Sequence, residues 1–199
     1  MRAAIICGIT NWRKIEKYQM QYFLSGNWDW VGEFKRFIDE KSNYLDTLII
    51  VSYGEYSNLN YRNTSYSKED WLNISLQIRI YHEFTHYICR KLYPNLINVL
   101  WDEILADCIG LLNGTGHYDA SLAKALLGVS SEGFTDGGRL SNYMDEKTDI
   151  FAIAVFVANL IDRIADITAD YIRLQGMDCF AILMKLEERS WELCGELFK

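Results

Sequence analysis

Proline is nearly absent from this sequence, since Pro94 is the only one among 199 residues. No segment is rich in glycine, serine and proline, so nothing in the chain has the composition of a flexible linker between domains. Hydrophobic residues make up 50% of the chain, which is enough to bury a core at this length. The sequence therefore predicts one domain over residues 1–199.

Clusters of basic residues are also missing. The net charge is −7, and no run of lysine and arginine is longer than two residues. Proteins that bind nucleic acid neutralise its phosphates with clustered cations. We therefore expect no nucleic-acid partner, and the acidic balance is explained by its favourable effect on solubility.

Long apolar runs are missing as well, because the longest largely apolar run, 150–161, has only 12 residues. A helix that crosses a membrane needs about 20 such residues. We therefore expect this run to lie in a buried core helix, and we expect no membrane partner. The apolar run 3–7 is too short for the core of a signal peptide.

The cysteines do not form a recognisable framework. Their number, five, is odd, and no two of them make a C-x-x-C pair. This pattern argues against both a disulfide scaffold and a thiolate zinc site. We also expect no signal peptide, because the run 3–7 is so short, and both expectations favour a reducing, cytoplasmic location.

Hydrophobic periodicity predicts an α+β protein that is rich in helix. Two apolar runs, 3–9 and 45–53, are typical of short strands, and the second predicts burial on both faces. Apolar residues spaced three or four apart predict helices elsewhere. The predicted helices are 12–24, 28–41, a helix from the N-cap Ser67 to just before Pro94, 96–113 closed by Gly114, 119–127, 146–175 and 179–198. The expected fold is thus a small sheet in the N-terminal part and a long helical C-terminal part.

Two predicted connections could lie close to a functional site. Segment 54–67 is rich in Asn, Tyr and Ser, and it is interpreted as an irregular or edge-strand segment that either lines a cleft beside the next helix or is a plain surface loop. Segment 129–138 contains three glycines, and the sequence predicts that it is the most mobile loop of the chain.

Two of only three histidines lie in the sequence HEFTH, residues 82–86. Positions four apart lie on one face of a helix, so His82 and His86 can offer two ring nitrogens to one point. A zinc ion at that point would accept both nitrogens, and Glu83 could take a proton from a zinc-activated water. The alternative is a helix that carries two satisfied surface histidines.

A catalytic zinc site normally has three protein ligands. The candidates for the third are His117, which is the remaining histidine, and the carboxylates Glu103 and Asp107 on the helix predicted to follow the motif. Two consecutive helices joined by a short connection can pack so that the second reaches back to the first. An acidic pair four residues apart is also common on a solvated helix face, so the residues alone leave the choice open.

HEFTH followed by Glu-Ile-Leu-Ala-Asp at 103–107 resembles the gluzincin branch of the zincin metallopeptidases. Their thermolysin-like members carry HExxH and then ExxxD on the next helix. The resemblance implies that His82, His86 and Glu103 bind zinc and that Glu83 is the general base. It also implies that Asp107 orients the ring of His82, a role that metal-bound histidines generally require.

The gluzincin resemblance covers about residues 71–112. The motif followed by EILADCIGLL, residues 103–112, is also similar to the compact zincin domain of ImmA/IrrE-type regulator-cleaving proteases, in which an acidic ligand is followed by an Ala- and Leu-rich stretch. Both resemblances imply the same two histidines, the same base and an acidic ligand on the following helix. Arg79 departs from the small apolar residue that is usual three positions before the first histidine. The metzincin pattern is absent, because position 92 is leucine where that pattern has a third histidine.

Hydrolysis of a peptide also requires a group that stabilises the oxyanion of the tetrahedral intermediate. Arg139 and Tyr143, and after them His117 and Tyr118, are the downstream candidates, since they lie in or beside glycine-containing loops that could close over a substrate. We therefore predict a zinc-dependent metallopeptidase that acts on a peptide or protein substrate, with Glu83 as its base.

Two alternatives share the same motif. One is a non-catalytic zinc-binding regulatory or interaction protein of zincin-like fold, and a closed fourth coordination position would favour it. The other is a zinc hydrolase that acts on a non-peptide amide, which needs the same metal and base.

Overall fold

The computed structural model describes residues 3–94, 98–145 and 147–195. Its contacts divide the chain into two compact units, residues 3–50 and the residues from Val51 onwards. The order of elements confirms the α+β class, with a two-stranded sheet near the N-terminus and a helical C-terminal part. The extent of one domain over 1–199 stays a prediction.

The first unit contains the small sheet. Strand β1 (Ala3–Thr10) is hydrogen-bonded to strand β2 (Leu45–Val51), and helices α1 (Trp12–Leu24) and α2 (Trp30–Asp39) come between them in sequence. Asn11 caps α1 through the Lys14 amide, and its own amide donates to Asp46 at 2.6 Å. Both strands and both helices are therefore confirmed.

The prediction that β2 is buried on both faces is wrong, and β1 is also partly exposed. Leu48 and Ile50 are 47% and 52% exposed, and Ile6 of β1 is 42% exposed. Leu48 and Ile50 are two positions apart, so they lie on the same face of β2. An apolar run indicates a strand, but it does not report whether a second layer covers that strand.

The tryptophans near α2 belong to an aromatic cluster of the first unit. Tyr18 lies 4.5 Å from Phe37 between ring centroids, and Phe37 is 4% exposed. Trp28 stacks on Phe23 but is itself 80% exposed. These aromatic residues therefore form a small local core, and only some of their side chains are buried in it.

The second unit consists mainly of helices: α3 (Lys68–Leu92), α4 (Val99–Thr115), α5 (Ala120–Leu127), α6 (Ile150–Gln175), α7 (Cys179–Glu188) and α8 (Ser190–Cys194). Ser67 caps α3 by accepting from the Asp70 amide, and Asp119 caps α5 in the same way. The start and end of α3 and the extent of α5, closed by Gly128, agree with the predictions.

Helices α3 and α4 approach each other closely at two glycines. A Cβ atom on Gly110 would lie 2.8 Å from the backbone oxygen of Ile78, and one on Gly114 would lie 2.7 Å from the Ile78 side chain. Gly114 is therefore an interior contact residue, and the prediction that it ends α4 is wrong. The helix ends at Gly116, whose φ of 81° is the left-handed value that favours glycine.

Other boundaries also differ from the predictions. Helix α6 begins after its N-cap Asp149, and the predicted start at Glu146 lies outside the described residues. The predicted start of α4 at Leu96 falls outside them too. The last helix is divided at Arg189 into α7 and α8, and the rest of the predicted helix, 196–198, is not described.

The two predicted connections have local structure. Segment 54–67 is irregular, with 3-10 turns at Tyr56–Asn58 and Tyr61–Asn63. Segment 129–138 forms an antiparallel hairpin of β3 (Val129–Ser130) and β4 (Gly133–Phe134), and a 3-10 turn at Arg139–Tyr143 follows. This last turn carries two of the predicted site residues.

Helix α6 contributes much of the core of the second unit. Val157, Leu160 and Ile161 are at most 1% exposed, although Phe151 near its start is 58% exposed. Among the described residues, no helix combines the length and the apolar character that a membrane crossing requires.

Candidate metal centre

His82 and His86 of α3 lie opposite Glu103 of α4. Both histidines are 6% exposed. Their Nε2 atoms are 2.9 Å apart. His82 Nε2 lies 3.5 Å from Glu103 Oε2, and His86 Nε2 lies 3.5 Å from the other oxygen, Oε1. One ligand atom from each of the three residues lies within 4.8 Å of the others. The two histidines are therefore buried and convergent, which is the opposite of the surface alternative.

These distances fit a zinc ion. Ligand atoms at about 2.1 Å from zinc in a tetrahedral arrangement lie about 3.4 Å from one another. The observed separations of 2.9 and 3.5 Å are close to that value. Within 3–94, 98–145 and 147–195, this is the one group of three or more His, Cys, Asp and Glu side chains with such proximity.

Asp107 holds the outer nitrogen of His82, as the resemblance implied. Its Oδ1 lies 2.9 Å from His82 Nδ1, and the residue is 2% exposed. A proton on Nδ1 would be donated to this carboxylate, and the lone pair of Nε2 would then face Glu103 and His86.

Asp102 holds His86 in the same way, and the sequence analysis missed it. Its Oδ2 lies 2.7 Å from His86 Nδ1. Because α3 and α4 run in opposite directions, the earlier histidine meets the later carboxylate and the later histidine meets the earlier one. Asp102 directly precedes Glu103 in the sequence, and this position could have indicated a second carboxylate near the histidines.

The carboxylates make this a cation site. Burial by itself lowers the pKa of His86, but the hydrogen bonds and charges of Asp102 and Glu103 raise it to about 9. Burial raises the pKa of Glu103, yet the two histidines and the Tyr143 hydroxyl lower it overall. The cluster therefore favours positive charge between its side chains.

Tyr56 is a second residue that the sequence analysis missed. Its hydroxyl lies 2.7 Å from Asp107 Oδ1 and 2.8 Å from His82 Nδ1. The sequence indicated this region only through the suggestion that segment 54–67, which contains Tyr56, could line a cleft.

Arg139 reaches the same group from the turn after the hairpin. Its guanidinium donates to the Tyr56 hydroxyl at 3.1 Å and pairs with Asp107 Oδ2. Burial would raise the pKa of Asp107, but the charge of Arg139 and the hydrogen bonds from His82 and Tyr56 lower it to about 2. Arg139 therefore keeps Asp107 ionised.

Tyr143 also contacts a predicted ligand. Its hydroxyl donates to Glu103 Oε2 at 2.8 Å, and burial raises its pKa well above the ordinary value. The structure thus brings both Arg139 and Tyr143 to the centre, where they bind the carboxylates around it. Their role as oxyanion donors stays a prediction.

His117 lies away from the centre. It follows the C-terminal end of α4, and Thr115 at that end is twelve residues after Glu103. At about 1.5 Å per residue this is about 18 Å along the helix. His117 is exposed, and its Nδ1 lies 3.2 Å from the carbonyl of Thr115.

Glu83 is half-buried on α3 beside the two histidines. Within the described part of the chain it forms no hydrogen bond or ion pair, in contrast to Asp102, Glu103 and Asp107. Its carboxylate is therefore available to a ligand.

Arg79, which departs from the zincin pattern, has a structural role. It is 2% exposed and donates to the carbonyls of Ser52, Gly54 and Glu55 at 2.6, 3.3 and 3.1 Å. This side chain attaches the segment before Tyr56 to the motif helix.

A cavity of about 260 Å³ reaches the centre from the C-terminal end of α3. His86 and Glu103 form part of its wall, together with Asp102, Arg90 and Tyr93. Two of the three candidate ligands are therefore accessible from a space the size of a side chain or small group.

Comparison with known proteins identifies a family without assigning a chemistry. No curated protein and no solved structure matches the chain. One family model matches residues 1–189, and its description is a family of unknown function, DUF7005. Since this match covers most of the chain and both compact units, the protein belongs to the DUF7005 family.

Proposed function

We propose that this protein is a zinc-dependent metallopeptidase. The observation that carries the proposal is the convergence of His82, His86 and Glu103 beside the unpaired carboxylate of Glu83. The resemblance of HExxH and ExxxD to the gluzincins supports the same assignment. We place the activity in the reducing cytoplasm, on the ground of the odd number of cysteines and the lack of a C-x-x-C pair.

Three ligands favour a catalytic centre over a structural one. Structural zinc sites are normally closed by four protein ligands, whereas catalytic sites leave one position for water or substrate. Among the described residues the group contains three. The adjacent cavity of about 260 Å³ supports access for part of a substrate.

The chemistry divides between the ion and the side chains. His82, His86 and Glu103 would hold the zinc, which when bound would polarise the scissile carbonyl and acidify a water molecule. Glu83 takes a proton from the attacking water as the new C–O bond forms. It then passes that proton to the nitrogen of the leaving amine as the C–N bond breaks. Asp107 and Asp102 keep the two imidazole rings in place.

Metal analysis of the purified protein tests the centre. We expect about one zinc per chain in the wild type and its loss in His82→Ala. A wild-type protein without zinc, together with unchanged stability and metal content in His82→Ala, would refute the metal centre.

Glu83→Gln tests the base with a mixture of quenched fluorescent peptides. We expect hydrolysis to fall by at least about 100-fold while zinc stays bound. Glu69→Gln, on an exposed residue in the first turn of the same helix, should keep full activity. A fully active Glu83→Gln protein would remove Glu83 from the base role.

A further inference from the structure

The Tyr56 hydroxyl completes a closed triangle with two polar atoms of the metal centre. It lies 2.7 Å from Asp107 Oδ1 and 2.8 Å from His82 Nδ1, and these two atoms are 2.9 Å apart. Arg139 donates to the same hydroxyl oxygen at 3.1 Å. A phenol has one proton to donate, and here the nearest carboxylate oxygen accepts it.

This arrangement determines which nitrogen of His82 carries the proton. If Nδ1 were unprotonated, its lone pair would face that of Asp107 Oδ1 at 2.9 Å. With the proton on Nδ1, the ring donates to Asp107 and the Nε2 lone pair faces Glu103, 3.5 Å away.

The backbone around Tyr56 is fixed in a conformation that presents the side chain to the centre. The Tyr56 amide donates to Ser75 Oγ of α3 at 3.0 Å. The next two residues, Ser57 and Asn58, have φ values of 54° and 60°, in a region that residues other than glycine rarely adopt. Ser57 Oγ donates to the Leu126 carbonyl at 2.7 Å and holds this turn. Such strained turns are concentrated at functional sites.

We propose that Tyr56 is a positioning residue of the metal centre, which acts through Asp107 to fix the tautomer and tilt of His82. The inference rests on the proposed zinc site. Arg139 completes the arrangement, because it contacts both Tyr56 and Asp107 and so attaches the turn at 139–143 to the same carboxylate. Mutation of an outer partner of this kind typically lowers metal affinity or activity by about 10–100-fold.

Tyr56→Phe keeps the ring and removes only the hydroxyl. We expect the affinity for zinc, measured by competition with a chromogenic chelator, to fall by about 10–100-fold. Tyr66→Phe is the matched control, since Tyr66 lies in the same segment and stacks on Trp71. Its hydroxyl has no hydrogen bond to a described residue, so its loss should leave zinc affinity unchanged.

The histidine rings provide a readout that a purely structural role would not change. The chain has three histidines, so ¹⁵N ring spectra contain three spin systems, and the exposed His117 serves as an internal reference. In the zinc-free wild type, where no metal fixes the tautomer, we expect a single His82 signal with its proton on Nδ1. In Tyr56→Phe this signal should broaden or shift towards a mixture of tautomers, while that of His86 stays unchanged.

A double-mutant cycle tests whether Tyr56 acts through Asp107. Asp107→Asn alone should weaken zinc binding by about 10–100-fold. Adding Tyr56→Phe to Asp107→Asn should then weaken it little further, because the hydroxyl has lost the group through which it acts. If the two substitutions instead lowered the zinc affinity by independent factors that multiply, Tyr56 would not act through Asp107.

The outcomes separate this inference from the proposed function. Equal zinc affinity and an unchanged His82 signal in Tyr56→Phe would overturn the inference and leave the zinc site intact. If that variant does not fold, the wild-type spectrum decides, since a His82 proton on Nε2 also overturns it. Weaker zinc binding in a protein that cleaves no peptide would support the inference and refute the peptidase. A wild type that binds no zinc would refute both.

Discussion

Each candidate ligand is held by a group from another part of the second unit. Asp107 and Asp102 contact the outer nitrogens of His82 and His86, and Tyr143 donates to Glu103. Such contacts restrict the rotamers of all three ligands before a metal binds. The entropy cost of ordering these side chains is therefore part of the free energy of folding, and it does not reduce the affinity for the metal.

At the residue scale, Asp102→Asn tests the contact that sequence reasoning missed. The amide cannot accept from His86 Nδ1 as strongly as the carboxylate does, so we expect zinc affinity to fall by about 10–100-fold. The measurement is chelator competition at neutral pH. Asp136→Asn, an exposed substitution, is the control. Equal affinity in Asp102→Asn would show that the 2.7 Å contact does not support His86.

At the element scale, the centre depends on how closely α3 and α4 approach. Gly110 and Gly114 allow the backbone of α4 to lie against Ile78 of α3. Glu103 and Asp107 lie further towards the N-terminus of the same helix, so the spacing at the glycines also sets their distance from the histidines.

Gly110→Ala should destabilise the protein although alanine is the better helix former. Its Cβ would lie 2.8 Å from a backbone oxygen of Ile78, which cannot move without separating the helices. We expect overpacking to cost roughly 1–3 kcal/mol in the free energy of unfolding. Chemical denaturation measures this energy, and chelator competition should show weaker zinc binding.

Gly114→Ala on the same helix is the comparison. Its nearest contact is a side-chain atom of Ile78, which can shift more easily than backbone. The destabilisation should therefore be smaller than for Gly110→Ala. A Gly110→Ala protein as stable as the wild type would show that the close approach is not required.

At the scale of the whole molecule, the candidate centre lies in the second unit, since Tyr56, α3, α4 and the turn at Arg139–Tyr143 all follow residue 50. The family match spans both units.

Stability of the second unit also involves a buried acid outside the centre. Glu187 of α7 is 8% exposed, and one of its oxygens has no hydrogen-bond partner among the described residues.

Glu187 should make stability depend on pH. Burial, with the charge of Asp102 adding to it, raises the pKa of Glu187 from 4.5 to about 7. The folded state therefore binds more protons than the unfolded state between these values, and the free energy of unfolding falls as pH rises through this window. The loss is at most roughly 3 kcal/mol.

Denaturant unfolding at pH 5 and pH 7, with chelator present, measures this effect. Glu187→Gln should remove most of the difference between the two pH values. The other titratable groups near Glu187 are Asp102, Cys89 and Tyr93, and they remain in the variant. If the free energies of unfolding at pH 5 and pH 7 differed as much in Glu187→Gln as in the wild type, the pH dependence would come from another group. Asp107, whose pKa is lowered to about 2, acts in the opposite direction and only below about pH 4.

The sequence by itself determined the features that depend on neighbours along the chain. The convergence of His82 and His86 follows from helical spacing, and the caps at Ser67 and Asp119 follow from side chains that bond to amides three residues on. The choice of Glu103 came from a motif resemblance, and its distances to both histidines agree with that choice.

Only the tertiary structure decided which groups meet across elements. Periodicity shows which residues share a face, but it does not show which faces come together or how closely. For this reason the sequence did not reveal Asp102 beside His86 or Tyr56 beside His82, and it left His117 among the candidates. The exposed face of β2 has the same cause, because burial depends on a covering layer that the strand itself does not encode.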